Sequence, residues 1–101
     1  MESAPCFKVA DVVRGDFEWD DAKAAANLAS HGASFDEAIT AWTDPAHVII
    51  DDGSGEDTFL LIGLSYDGRF LTVVHVERGE RDRIISAWRA TANEQKTYTE
   101  G

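Results

Sequence analysis

Four arginines fall within seventeen residues, HVERGERDRIISAWRAT at positions 75–91, of a chain whose formal net charge is -10. Guanidinium groups neutralise charge developing on a phosphate, and a carboxylate or imidazole beside them moves protons. Glu77, Arg78 and Arg83 are the residues of this stretch that carry such a combination. The plainer alternative is a solvated sheet edge, where a Glu/Arg pair contributes at most about 1 kcal/mol and performs no chemistry. A hairpin about Gly79 with Glu77 opposite Arg83 puts both ionic side chains on one face. The same register sets His75 opposite Ile85 and turns Arg78 to the other face with Ser86 and Trp88. Spacing alone does not choose between a site and an edge.

A second polar group lies earlier in the chain. Lys23, Asn27 and His31 recur at i, i+4 and i+8, so a helix through them presents one polar stripe able to meet phosphate or a base edge. The alternative makes Lys23 a solvated lysine and His31 a helix C-terminal residue favoured by the dipole.

The elements that must position these groups are marked by local chemistry. The stretch FEWDDAKAAANLASHGASFDEAITAWTDP predicts two short helices. Asp20 caps the first, alanines 22, 25, 26 and 29 form a small-residue stripe for close packing, and Gly32 ends it in the left-handed conformation. Ser34 and Glu37 form a capping box for the second, whose core face is Phe35, Ala38, Ile39 and Trp42. Asp44-Pro45 stops it. Four strands are predicted next, AHVII, TFLLIGLS, RFLTVVHVER and DRIISAW, separated by the turn-forming DDGSGED, YDG and GE. The polar tail RATANEQKTYTEG predicts a C-terminal helix. The expected fold is therefore α+β: two N-terminal helices, a four-stranded antiparallel meander and a C-terminal helix.

A chain of 101 residues fits one domain, read here as residues 17–101 after an extension at 1–16 with room for a short strand. No apolar run is long enough to span a bilayer, and the N-terminus lacks the pattern of a secretory signal, which predicts a cytoplasmic protein. The lone Cys6 makes neither an internal disulfide nor a metal site. DDGSGED fails calcium-loop spacing and no phosphate-loop pattern occurs, so neither metal nor nucleotide cofactor is expected. Charge is uneven: residues 69–96 hold six Lys/Arg against four acids, and the remainder holds three against fifteen. That body repels nucleic acid at long range, suits a basic protein partner, and leaves room for one cationic patch in the C-terminal third.

Two ordered motifs resemble the BrnT toxins of bacterial type II toxin–antitoxin pairs. The first is Phe17, Trp19, Asp20, Lys23, Asn27, His31, Gly32 and Phe35; the second is Glu77, Arg78, Gly79, Arg83 to Ala87, Ala90, Thr91, Glu94 and Tyr98. The resemblance implies a RelE-like fold and a ribonuclease that arrests growth without metal or cofactor. It implies neutralisation by a BrnA-like ribbon-helix-helix antitoxin in a heterotetramer, with operator DNA contacted only through the antitoxin and no membrane partner. Carried over by position, Arg83 and Arg78 would hold phosphate, and Glu77 would transfer a proton or orient an arginine. Lys23, His31, Arg69, Arg89 and Tyr98 would bind RNA. Trp88 departs from the pattern, which reads arginine there: either one phosphate contact is lost or Trp88 binds RNA by stacking on a base instead. Trp88 and the acidic body also support a second expectation, a catalytically weak or inactive toxin-like module that acts through its antitoxin in operon autoregulation.

Overall fold

The computed structural model describes residues 11–55 and 57–100, with every side chain among them but that of Arg78. Two short strands flank the turn at Gly15, β1 (Asp11–Arg14) and β2 (Phe17–Asp20), and they pair antiparallel with Val12 opposite Trp19. Helix α1 (Asp21–His31) follows, then α2 (Phe35–Thr40) and a 3-10 turn at Ala41–Thr43. Strands β3 (Val48–Asp51), β4 (Thr58–Leu64), β5 (Phe70–Arg78) and β6 (Arg81–Arg89) form an antiparallel meander, and α3 (Ala92–Glu100) ends the chain. All six strands share one mixed sheet in the order β1-β2-β6-β5-β4-β3, with β2 parallel to β6 through Phe17 and Asp82, and Glu18 and Arg83.

The sheet is thus two strands wider than the expected meander, and the run beginning FEWD starts as a strand, not a helix. Pairing with β6 explains the difference: Phe17 and Trp19 place their rings against the helices while Glu18 faces the opposite side. Local propensity yields here to a partner strand more than sixty residues away.

Helix termini follow local chemistry. The Asp20 carboxylate accepts from the Ala22 N–H at 2.9 Å, and Gly32 adopts φ +70° while its N–H closes on the Leu28 carbonyl. Ser34 caps α2 by accepting from the Glu37 N–H at 3.0 Å. The core lies between the sheet and α1/α2, where Trp19, Phe35, Ala38, Leu61, Leu71, Val73, Ile84 and Ala87 are all buried. Gly63 belongs to that packing, since a Cβ there would stand 2.9 Å from the Ala41 carbonyl oxygen. The alanine stripe does not pack: Ala22, Ala25, Ala26 and Ala29 are all exposed, and the buried residue of α1 is Asn27. On the opposite face α3 lies across β5, with the Tyr98 ring edge-on to Phe70 at 5.0 Å.

Candidate functional site

The β5–β6 hairpin differs in register from the expectation. Glu77 pairs with Asp82 and Val76 with Arg83, while His75 meets Ile84, and an irregularity between Val74 and His75 leaves Ile85 as the extra residue of β6. Such a bulge reverses the facing of everything beyond it. Glu77 and Arg83 therefore point to opposite faces, and the predicted pair does not form.

Arg83 is instead held by carboxylates from the first two strands. Its Nη1 donates to Glu18 Oε2 at 2.8 Å and its Nη2 to Asp11 Oδ1 at 3.1 Å. The two partners, Asp11 first, raise its already high pKa further. The guanidinium fastens the β1–β2 hairpin to β6, and two acids cancel the charge a phosphate would need. The Arg78 side chain lies outside the described residues. Glu77 and Arg81 are both exposed near the turn, and the Arg81 guanidinium, which motif reasoning passed over, has no hydrogen bond or ion pair among the described residues.

The other end of β6 gathers a different set. Arg89 ends the strand opposite Leu71, and Arg69 immediately precedes β5, so both stand at the same end of the sheet as the C-terminus of α1. The Arg69 Nη2 donates to the Gly32 carbonyl at 3.0 Å and also grips Glu37, whose Oε2 accepts from Arg69 Nε at 2.9 Å. The Arg69 hydrogen bonds hold the Glu37 carboxyl below its usual range, with a further contribution from Ser65, whose hydroxyl donates at 2.7 Å. The capping box is accordingly half used: Ser34 caps, but the Glu37 side chain leaves for Arg69 and Ser65.

Beside this pair, the His31 ring stands 6.3 Å from the Trp88 ring. The Trp88 Nε1 donates to Glu94 Oε1 at 3.1 Å, and Thr72 donates to the same oxygen at 2.9 Å. Burial would raise the Glu94 carboxyl, yet bonds from the Thr91 N–H, Thr72 and Trp88 hold it low, so it stays an acceptor. Trp88 is half-buried with its orientation set by this network, while Arg89 is exposed, its guanidinium makes no hydrogen bond among the described residues, and it lies near enough to Glu37 to lower it electrostatically. Lys23, exposed, lies two turns of α1 before His31. Asn27 leaves the predicted stripe altogether, because its amide is buried against β6.

Tyr98 occupies the α3 face, where its hydroxyl donates to Asp44 Oδ2 at 2.8 Å and that carboxylate raises its pKa. It anchors α3 to the turn after α2. The predicted residues thus separate into a hairpin group, Glu77, Arg78 and Arg83, and a β6-end group, Lys23, His31, Arg69, Trp88 and Arg89. Six residue steps along β6 part Arg83 from Arg89, about 20 Å at ~3.3 Å per residue. One pocket uniting the guanidinium groups is not formed.

A family model described as "Ribonuclease toxin, BrnT, of type II toxin-antitoxin system" matches residues 19–94. The chain belongs to the BrnT family. Among solved structures it is similar to the BrnT ribonuclease toxin of Brucella abortus, at 21% identity and a TM-score of 0.60 over 72% of this chain and 92% of that one. That likeness carries the α+β fold of the BrnT toxin. No curated protein matches the chain. Membership implies an antitoxin partner. No helix among the described residues is long and apolar enough to cross a membrane, and no three His, Cys, Asp or Glu side chains among them gather as a metal site.

Proposed function

We propose that this BrnT-family chain is an endoribonuclease toxin that binds RNA at the β6 end of the sheet and cleaves it with its own side chains. The supporting observation is the exposed imidazole of His31 standing 6.3 Å from the Trp88 indole, which Glu94 holds by its N–H, at the end of the sheet where the exposed Arg89 closes β6. RNA cleavage without a metal needs a group that takes a proton from the attacking hydroxyl and a cation for the phosphate. His31 supplies the first, Arg89 the second, and Trp88 a surface for one base. Lys23 extends the cationic track along α1, and Arg69 positions the α1 C-terminus through the Gly32 carbonyl. Glu77 and Arg78 remain proposed contacts at the far hairpin, and Arg83 acts as a positioning residue. A ribbon-helix-helix antitoxin in a heterotetramer would neutralise the toxin and carry operator DNA, all within the cytoplasm where the RNA is.

Expression of the chain without its antitoxin tests this reading: growth arrest with RNA cleavage that persists in chelator is expected, and His31→Ala and Arg89→Ala should abolish both. A second reading is favoured by the two carboxylates on Arg83, which leave the hairpin without its central cation. In that reading the domain is a non-catalytic partner-binding module in autoregulation. Intact RNA and unimpeded growth from a folded, antitoxin-binding chain would establish it in place of the first.

A further inference from the structure

A cavity of about 200 Å³ opens between the β1–β2 hairpin, α1 and the start of α2. Trp19 and Phe35, both almost fully buried, line it together with Val12 and Ala24, and Leu28 stands on its border half-exposed. Asp21 and Asp36 complete the rim with Arg14, whose Nε lies 3.3 Å from Asp36 Oδ1 and whose guanidinium carbon lies 5.8 Å from the Trp19 ring centroid. The helical positions separate this rim from the proposed RNA track: Asp21, Ala25 and Leu28 are centred roughly 125° around α1 from Lys23 and His31.

The size decides what can enter. Small-molecule sites usually enclose about 300–1,000 Å³, whereas about 150 Å³ suffices for one benzene-sized group. The cavity therefore fits a single large apolar side chain carried by something bigger. Charge decides the carrier. Residues 11–37, whose strands and helices surround the cavity, hold seven acids against Arg14 and Lys23, so this side of the molecule repels RNA and repels a second copy of itself. A basic polypeptide is attracted.

We infer that this groove is the docking site for a basic segment of the antitoxin, which seats one large apolar side chain between Trp19, Phe35 and Leu28 and sets its cations against Asp21 and Asp36. The inference rests on the antitoxin reading and adds the surface and its chemistry. The exposed alanines of α1 beside Leu28 let the segment's backbone approach the helix closely. Docking here leaves the β6 end uncovered by this contact, so the anchor and the block of RNA entry are separate parts of the same partner.

The test titrates the purified chain with the purified antitoxin encoded beside it, by calorimetry at two salt concentrations. Leu28→Asp should weaken binding tenfold or more, and Asp21→Lys should weaken it and flatten its salt dependence. Thermal melts check that both variants fold, and free Leu28→Asp chain should still arrest growth. Should Leu28→Asp fail to fold, Asp21→Lys at the solvated helix start carries the decision. Equal Kd for variants and wild type overturns the groove and leaves the antitoxin reading standing. No binding by the unaltered chain overturns both.

Discussion

The Asn27 amide lies along the free edge of β6 and treats Ala87 as a strand partner would, donating to its carbonyl at 2.8 Å and accepting from its N–H at 3.1 Å. Strand β2 pairs with β6 only as far as Arg83, so beyond that point the backbone needs another partner. Asn27 also donates to the Ala33 carbonyl at 3.0 Å and accepts from the Ser86 hydroxyl at 2.9 Å, which satisfies both atoms of the amide and ties α1 to the sheet.

Asn27→Ala should therefore cost about 3 kcal/mol or more, because the buried N–H and carbonyl of Ala87 lose their partners together. Asn27→Asp keeps the acceptor yet turns a carboxylate toward two carbonyl oxygens, so it should be at least as damaging. Urea unfolding of both variants checks this, and Asn27→Asp matching the wild type would show that the carbonyl bonds carry no weight.

The Arg69–Glu37 pair makes a prediction about acid. Arg69→Met leaves a nearly buried carboxylate with the Ser65 hydroxyl and the more distant charge of Arg89, at an expected cost of about 3 kcal/mol at neutral pH. Because Arg69 holds the folded-state pKa of Glu37 down, the pair's stabilisation is present above the ordinary carboxylate range and is lost as pH falls through the lowered folded value. The gap between variant and wild type should be widest near pH 7 and close toward pH 3. Melting temperatures across that range measure it.

At the β6 end, Trp88→Ala should weaken binding of a short single-stranded RNA by about 1–3 kcal/mol, roughly five- to 150-fold. Trp88→Phe, which keeps the ring and drops only the bond to Glu94, should recover most of it. Arg89→Ala should lower the slope of log K against log salt by about 0.7, the effect of one phosphate contact on a single strand. Fluorescence titrations at several salt concentrations read both effects, and an unchanged slope would remove Arg89 from the interface.

What was legible in the chain was local. Asp20, Gly32 and Ser34 announce their helix ends because each cap is closed within four residues, and the four meander strands carry their own β-rich composition and turns. What was illegible depends on distant pairing. Nothing near FEWD reveals that Phe17 and Glu18 will find Asp82 and Arg83. One bulge residue, Ile85, shifted the hairpin register and so reversed the expected facing of Arg83, and the acids that claim it come from strands at the other end of the chain. Among the candidates, His31 and Trp88 are brought side by side, with Arg69 and Arg89 at the same end of the sheet, because α1, β5 and β6 meet there for reasons of packing that Asn27 enforces.

His75 adds an acid sensitivity that sets in nearer neutral pH than that of Glu37. His75 is 1% exposed, packed between Trp42 at 4.8 Å and Phe59 at 5.9 Å; its Nδ1 lies 3.3 Å from Asp82 Oδ1, and its Nε2 has no partner among the described residues. Burial lowers its pKa more than Asp82 and Glu77 raise it. The unfolded chain therefore takes up this proton first as pH falls, and stability is full above about pH 6.5 and declines below it. His75→Phe should remove that decline and leave stability at pH 8 within about 1 kcal/mol, since a ring of similar shape replaces an unsatisfied one. Denaturant midpoints at pH 8 and pH 5 give the comparison, and parallel losses in the two proteins would place the acid sensitivity elsewhere.

The Arg83 cluster separates a fastening role from a catalytic one. Arg83→Met alone removes the guanidinium that Asp11 and Glu18 share, and the β1–β2 hairpin should loosen at a cost of about 2–3 kcal/mol. Arg83→Met combined with Asp11→Asn and Glu18→Gln removes the carboxylate charges as well as the cation, and replacing an ion cluster by neutral groups of similar volume is often close to neutral in stability. If Arg83 only fastens the hairpin, RNA cleavage returns with the fold in the triple variant. Cleavage that stays lost in a triple variant with wild-type melting temperature would instead mean that Arg83 leaves its carboxylates to hold the phosphate during the reaction, and the β6 end alone would no longer account for the chemistry.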